Sequence, residues 1–161
     1  MKKGEDTVQK REVKAILFDM DGVLVDSIDA WLYVFNDTRK HFGFAPVPKK
    51  DFIKDFGAPI EHDVRKYFKG KTISEVEEAY NKNFKKRRKH VRLFPQSKPT
   101  LEKLKKYPIK IGLITNSTRF ITSAILNCFK LTKSFDAVIT MNDVKRRKPN
   151  PEMILKACKI L

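Results

Sequence analysis

The chain has 161 residues, with 35 Lys and Arg against 19 Asp and Glu, a formal net charge of +16. Hydrophobic residues at 41% and charged residues at 34% make a folding composition, since disordered chains are poorer in apolar side chains. No apolar run approaches the roughly 18 residues of a membrane span, the lysine-rich stretch Met1–Lys14 lacks the apolar centre of a secretory signal, and Cys128 and Cys158 are too few for a disulfide framework, so a cytoplasmic protein without a membrane partner is expected.

Residues 1–12 read as a mobile tail. Val13 to Phe18 is a near-continuous apolar run of the kind found in buried parallel strands, and it stops at Asp19-Met20-Asp21-Gly22. Asp26 or Ser27 can then cap a helix whose apolar face carries Ile28, Trp31, Leu32, Phe35 and Phe42, and Gly43 ends it. Short helices are expected over Lys49–Asp55 and Ile60–Phe68, separated by Gly57-Ala58-Pro59. Thr72 and Glu75 have the spacing of a capping box that opens the next helix. No strand pattern appears between about Ile28 and Phe94.

From Pro95 the pattern changes. Helix over Thr100–Lys106, strand over Ile109–Ile114, helix over Thr118–Phe129, strand over Ala137–Thr140 and helix over Pro151–Ile160 alternate. Such alternation predicts an α/β fold with a Rossmann-like parallel sheet. Residues 1–26 and 95–161 would form that core, and 27–94 an inserted all-α domain.

Two basic clusters carry much of the charge. Lys85-Lys86-Arg87-Arg88-Lys89 sits late in a helical pattern whose apolar face is Ile73, Val76, Tyr80 and Phe84, so its lysines read first as a solvated face. Lys145-Arg146-Arg147-Lys148 precedes Pro149. Such clusters can bind nucleic acid through phosphates, but no zinc-finger spacing, RRM signature or GXXG loop supports sequence-specific recognition. The same charge attracts small anions.

Ligands of open parallel sheets bind at the carboxyl ends of strands. Here the strand ends are followed by Asp19-Met20-Asp21-Gly22, by Thr115-Asn116-Ser117-Thr118 and by Lys148-Pro149-Asn150-Pro151. If the strands are neighbours, two carboxylates, a hydroxyl at a helix N-terminus and an ammonium meet in one crevice. That set suits phosphoryl transfer. One carboxylate attacks phosphorus and the other moves protons. A hard divalent cation such as Mg²⁺ relieves the repulsion between carboxylate and phosphate. Thr115 with helix-terminal amides holds phosphate oxygens, Lys148 adds positive charge, and Gly22 permits a close approach of the backbone.

These residues resemble the haloacid dehalogenase-like hydrolase superfamily. Lys14 to Ser27, KAILFDMDGVLVDS, is similar to its first motif nearly position for position, Leu113 to Ser117, LITNS, to the second, and Val144 to Glu152, VKRRKPNPE, to the third. The helical insertion between the first and second motifs resembles the cap of phosphoglycolate phosphatase-like and phosphoglucomutase-like members, and Gly57-Ala58-Pro59 is similar to the cap loop facing the site. The resemblance implies that Asp19 is the nucleophile and Asp21 the acid/base. It implies that the Asp19 carboxylate and Asp21 carbonyl bind Mg²⁺, that Thr115 and the Asn116 amide bind phosphate, and that Lys148 stabilises charge. Gly22 and Gly57 join the phosphate- or substrate-contacting candidates. The implied activity is hydrolysis of a small phosphorylated metabolite through an aspartyl-phosphate. The alternatives are a phosphomutase and a catalytically silent basic protein that binds nucleic acid.

One departure stands out. The family's fourth motif, an acidic pair after a further strand, has no counterpart before Leu161, and Glu152 is the only carboxylate after Lys148. The core is therefore expected to be incomplete at its C-terminal side, with the first strand at a sheet edge, and this chain is expected to show weak activity or none. His62, Arg65 and Lys66 are candidates for substrate choice, equally readable as a solvated helix face. His41 and His90 have no ligand-like partners.

Overall fold

The computed structural model describes residues 12–161, so the tail expected over residues 1–12 lies outside the described part but for Glu12. The elements follow in chain order as β1 (Ala15–Phe18), β2 (Val25–Asp26), α1 (Ile28–His41), α2 (Lys49–Lys54), α3 (Ile60–Tyr67), α4 (Ile73–Arg87), β3 (Arg92–Leu93), α5 (Ser97–Leu104), β4 (Lys110–Ile114), α6 (Arg119–Cys128), β5 (Ala137–Ile139) and α7 (Glu152–Ile160). The mixed α/β fold is the one expected, and most boundaries agree within a few residues.

Strands β1, β4 and β5 form a parallel sheet in the order β1-β4-β5. Phe18 sits opposite Leu113, and Ile114 opposite Ile139. Central β4 is buried from Ile111 to Ile114, whereas β1, at the edge, is only partly buried. This register brings the segments after β1 and β4 to the same end of the sheet, where the polar groups at Asp19 and Thr115 must meet.

Helices α1 to α4 bury a cluster of aromatic rings. Phe35 is its hub, with ring centroids 5.2 Å from Phe52, 5.1 Å from Tyr67 and 5.3 Å from Phe68. Trp31 meets Tyr80 edge-on at 5.6 Å. The i, i+4 spacing of Trp31 and Phe35 puts both on the face of α1 turned toward α4. The capping box at α4 forms as the spacing predicts: the Glu75 N–H donates to Thr72 Oγ1 at 3.2 Å, and the Thr72 N–H donates to Glu75 Oε2 at 2.8 Å.

One expectation is corrected. Residues 28–94 are not free of strand, because β3 pairs antiparallel with β2, Val25 against Leu93 and Asp26 against Arg92. Ser97 Oγ and the Phe94 N–H both donate to the Leu24 carbonyl, at 2.7 and 3.1 Å. This ribbon ties together the two chain passages that lead into and out of the helices. Two residues per strand leave no period to detect, so a pattern search passes over them.

In the basic cluster at the C-terminal end of α4 and just beyond it, Lys85, Lys86 and Lys89 are exposed. Arg87 makes a two-pronged pair with Asp37 at 2.7 and 3.0 Å. Lys85 lies over the Phe120 ring at 5.2 Å. The lysines fit a solvated face.

Gly112 of β4 is closely packed between its neighbours. A Cβ there would stand 2.5 Å from Leu17 Cδ2 and 3.1 Å from Leu161 Cδ1. Gly112→Ala is therefore expected to displace Leu17 from the edge strand and cost about 1–3 kcal/mol. A denaturant midpoint unchanged from wild type would show that the edge strand yields freely.

Candidate active site

A cavity of about 200 Å³ lies between the C-terminal end of the sheet and the helices, lined on the sheet side by Asp19, Asp21, Thr115, Asn116, Ser117 and Lys148. Five of the seven site candidates named from sequence thus line one hollow, and Gly57 makes a sixth. Gly22 does not belong to it. It is exposed, adopts φ +78°, and donates its N–H to the Val25 carbonyl at 2.9 Å. Its conformation lets the chain double back into β2.

Asp19 ends the first strand with one carboxylate oxygen accepting from the Met20 N–H at 2.7 Å and the other 2.8 Å from Lys148 Nζ. Lys148 Nζ also donates to the Ile114 carbonyl at 3.4 Å. The Lys148 main chain is clamped by one side chain: its N–H donates to Asn116 Oδ1 at 3.0 Å, and its carbonyl accepts from Asn116 Nδ2 at 3.1 Å. Asn116 Nδ2 is also 3.2 Å from the Gly57 carbonyl. The sequence reading gave Asn116 only its backbone amide. Its side chain proves to hold the lysine loop and to touch the loop before α3.

Asp21 is set differently. Its Oδ1 accepts from Ser27 Oγ at 2.5 Å and from Trp31 Nε1 at 3.1 Å, and its Oδ2 accepts from Ser117 Oγ at 2.8 Å. Burial lifts the Asp21 carboxyl above the ordinary carboxylate range, against the pull of those three hydrogen bonds and with help from the Asp19 charge. An acid so poised suits proton transfer better than one free in water. Ser27 stands at the N-cap of α1 but makes no cap hydrogen bond with its side chain, having given its hydroxyl to Asp21. Capping was the role its position suggested.

Thr115 is buried, and its Oγ1 accepts from the Ser117 N–H at 3.0 Å. The cap of α6 is Thr118, which accepts from the Ile121 N–H at 3.2 Å and donates to Asn81 Oδ1 of α4 at 2.6 Å.

The Asp19 carboxylate offers oxygen, which suits a hard cation, although the Lys148 ammonium stands 2.8 Å from one of its oxygens. With three donors on the Asp21 carboxylate, the Asp19 carboxylate and the Asp21 main-chain carbonyl are what these two residues offer such an ion. Among the described residues no group of three or more His, Cys, Asp or Glu side chains could hold a metal ion. Two protein oxygens fit a cation that keeps waters and takes phosphate oxygens as further ligands, as Mg²⁺ does.

The far half of the cavity comes from the helices: Trp31, Phe35, Phe52, Phe56, Tyr67 and Tyr80 supply rings, and Asp55 and Asp63 supply carboxylates. Asp55 is compensated. Lys66 Nζ at 2.6 Å and Tyr67 OH at 2.5 Å donate to it, His62 lies at 3.3 Å, and those hydrogen bonds hold its carboxyl down to about 2. His62 and Lys66 thus act on a lining residue without lining the cavity, and Arg65 is exposed. Asp63 accepts one bond, from Tyr80 OH at 2.9 Å, and burial pushes its carboxyl up to about 7. Neither Asp63 nor Tyr80 stands out in the sequence: Tyr80 reads as part of an apolar stripe, and nothing local singles out Asp63.

Further polar contacts join helices to sheet side. Arg147 pairs with Glu61, and Asn142 Nδ2 donates to Glu77 Oε1 at 2.8 Å. Among the described residues, no helix is long and apolar enough to cross a membrane.

Comparison with known proteins agrees with this geometry. The profile of the family described as "Haloacid dehalogenase-like hydrolase" matches residues 16–161. A protein of Caldanaerobacter subterraneus subsp. tengcongensis, described as a pyrophosphatase, PpaX, is 29% identical over 157 residues, covering 93% of this chain and 68% of the relative. The PpaX pyrophosphatase of Bacillus mycoides is 28% identical over 151 residues, covering 93% and 70%. Among solved structures, a Bacteroides fragilis protein described as a haloacid dehalogenase-like hydrolase superposes with a TM-score of 0.82 at 26% identity, covering 92% of this chain and 72% of that one. A Lactobacillus plantarum protein described as a phosphoglycolate phosphatase shares the fold at a TM-score of 0.82 and 20% identity, covering 93% and 72%. The family profile spans the sheet, the helices and every residue that meets at the cavity, and the chain belongs to the haloacid dehalogenase-like hydrolases, as an enzyme of their phosphatase kind.

Proposed function

We propose that this hydrolase cleaves small phosphate monoesters through an aspartyl-phosphate on Asp19, with Mg²⁺ as cofactor and the helices of residues 27–94 serving as a cap over the core of residues 1–26 and 95–161. The observation that carries the reading is the Asp19 carboxylate 2.8 Å from Lys148 Nζ, in one cavity with the buried acid Asp21.

In the first step an Asp19 carboxylate oxygen attacks phosphorus, and the bond from phosphorus to the ester oxygen breaks. The departing oxygen takes the proton carried by Asp21, whose raised affinity for protons suits that duty. In the second step the Asp21 carboxylate takes a proton from water, and the resulting hydroxide attacks the same phosphorus. The bond to Asp19 breaks and the carboxylate returns with inorganic phosphate. Lys148 offsets the negative charge gathered at Asp19 and the phosphoryl oxygens. Thr115 and the Asn116 amide receive phosphate oxygens. The Asp19 carboxylate and Asp21 carbonyl would hold Mg²⁺, which supplies charge neutralisation at the phosphoryl group. The rings of the helical half keep water from the ester until it is in place.

The relatives' name brings in a second substrate, inorganic pyrophosphate. That highly charged anion would enter a cavity lined by four aspartates and one lysine, so a monoester carrying a single phosphoryl group is favoured. The mutase alternative would return the phosphoryl group to a sugar rather than to water, and product analysis with a sugar phosphate separates the two.

Asp19→Asn is expected to reduce release of phosphate from an alkyl phosphate to background while leaving the melting temperature near that of wild type. Full activity in this variant rules out the covalent route. Asp21→Asn is expected to slow alkyl phosphate hydrolysis by about 10²–10⁴-fold but to spare p-nitrophenyl phosphate in the first step, because nitrophenolate leaves without a proton. Equal slowing of the initial burst with both esters would assign Asp21 another duty.

A further inference from the structure

The reacting groups line the sheet side of the cavity, and the leaving group of any ester must occupy the other side. Among the described residues, that side is built of six aromatic residues, two aspartates, Ile60 and the Gly57-Ala58 turn, with no lysine or arginine. The polar atoms there are mostly committed. Trp31 Nε1 donates to Asp21, Tyr67 OH to Asp55, and Tyr80 OH to Asp63. Asp55 is matched by Lys66 and His62. On this wall Asp63, unlike Asp55, has only a neutral partner and no counter-charge among the described contacts, though it lines the cavity among the rings.

Three kinds of leaving group can be weighed against this wall. A carboxylate-bearing one, as in phosphoglycolate, would meet rings and two acids and find no cationic partner, since Lys148 is already paired with Asp19. A polyol needs several free donors and acceptors, and nearly all of these are taken. An ammonium finds what it requires: ring faces attract a cation through their quadrupoles, and a desolvated carboxylate without a counter-ion gains one. The cavity, at about 200 Å³, falls below the usual range for drug-sized ligands, so the chain between phosphate and nitrogen must be short.

Resting on the phosphatase reading above, we propose that the substrate class is a short aminoalkyl phosphate monoester, whose ammonium is received by Asp63 within the ring of Trp31, Phe35, Phe52, Phe56, Tyr67 and Tyr80. Asp63 is a specificity-determining residue, remote from the bond that breaks. Its cost to the empty protein is consistent with this duty, because burial pushes its carboxyl up to about 7, and a bound cation restores the charged form.

The charged and titratable groups around Asp63 are Tyr80 from α4, Asp55 after α2 with its partners Lys66, His62 and Tyr67, and Asp19, Asp21 and Lys148 across the cavity. Since the folded carboxyl takes its proton at higher pH than the unfolded one, the native state holds more protons between about pH 4 and 7. Asp63 therefore contributes a loss of stability as pH rises through that window. Asp63→Asn, which keeps an acceptor for Tyr80, is expected to melt higher than wild type at pH 8.

The test compares three probes by calorimetric binding and by phosphate release, in the presence of Mg²⁺: 2-aminoethyl phosphate, ethyl phosphate and phosphoglycolate. Wild type is expected to prefer 2-aminoethyl phosphate over ethyl phosphate by about tenfold or more, with phosphoglycolate weakest. In Asp63→Asn that ratio is expected to fall to about one. A wild-type ratio near one overturns the proposal whatever the variant does, and so does a ratio that survives Asp63→Asn. Preference for ethyl phosphate or phosphoglycolate, with hydrolysis intact, overturns the ammonium assignment and leaves the phosphatase reading standing. Failure of all three probes to bind or react overturns both.

Discussion

The ion pair between Asp19 and Lys148 is the contact on which the site depends. Asp19 is fixed by the end of the edge strand and by the Met20 N–H. Lys148 reaches it from a loop beyond the last strand, and nothing in that loop's own sequence would aim it there. The aim comes from Asn116, which binds the Lys148 main chain on both its N–H and its carbonyl. Asn116 in turn follows β4, the buried centre of the sheet. The parallel register therefore sets the charge pair. A slip of one residue between β1 and β4 would turn every side chain to the opposite face and part Asp19 from its lysine.

The distribution of charge gives the site its selectivity. The chain carries +16 overall, yet four aspartates line the cavity with one lysine. At long range the basic surface draws anions in, an effect that salt screens beyond about 10 Å. At short range each carboxylate has a different compensation. Asp19 has Lys148, Asp55 has Lys66 and His62, Asp21 has three neutral donors, and Asp63 has Tyr80 alone. The same residue type thus spans proton affinities from about 2 at Asp55 to about 7 at Asp63, set by what stands beside each group.

Much of this was legible in the sequence. The apolar runs that end in Asp19 and Thr115 marked buried strands, and their polar sequels marked the carboxyl end of a parallel sheet, because that is where such sheets leave backbone groups free to meet a ligand. Thr72 and Glu75 announced their capping box by spacing alone. What escaped was of two kinds. The ribbon of Val25–Asp26 with Arg92–Leu93 is too short to show a period. Ser27, Trp31, Asp63 and Tyr80 have side-chain roles that exist only once distant segments are packed together; locally Ser27 reads as a cap, Trp31 and Tyr80 as members of apolar faces, and nothing marks Asp63. Gly22 is a motif position whose residue type announces its conformational demand, φ +78°, and the turn it makes leads the chain into β2.

The boundary between helices and sheet side is held at its rim by polar pairs: Asn116 with Gly57, Thr118 with Asn81, Asn142 with Glu77, and Arg147 with Glu61. Hydrogen bonds of this kind exchange for water at a net cost of about 0.5–1.5 kcal/mol each, far less than parting an apolar interface of similar extent. The aromatic rings, by contrast, pack mainly against one another within the helical half, where Phe35 binds α1 to its neighbours. The molecule therefore has strong cohesion inside the helices, weaker polar cohesion across the cavity, and a hydrogen-bonded strand pair, Val25 against Leu93, where the chain enters and leaves the helices. A ligand that touches both walls, phosphate on the sheet side and leaving group on the rings, adds binding energy only when the two are together. Asn116 makes that coupling specific, because the side chain that positions Lys148 also reaches the Gly57 carbonyl, so the lysine and the helical wall are placed by the same amide.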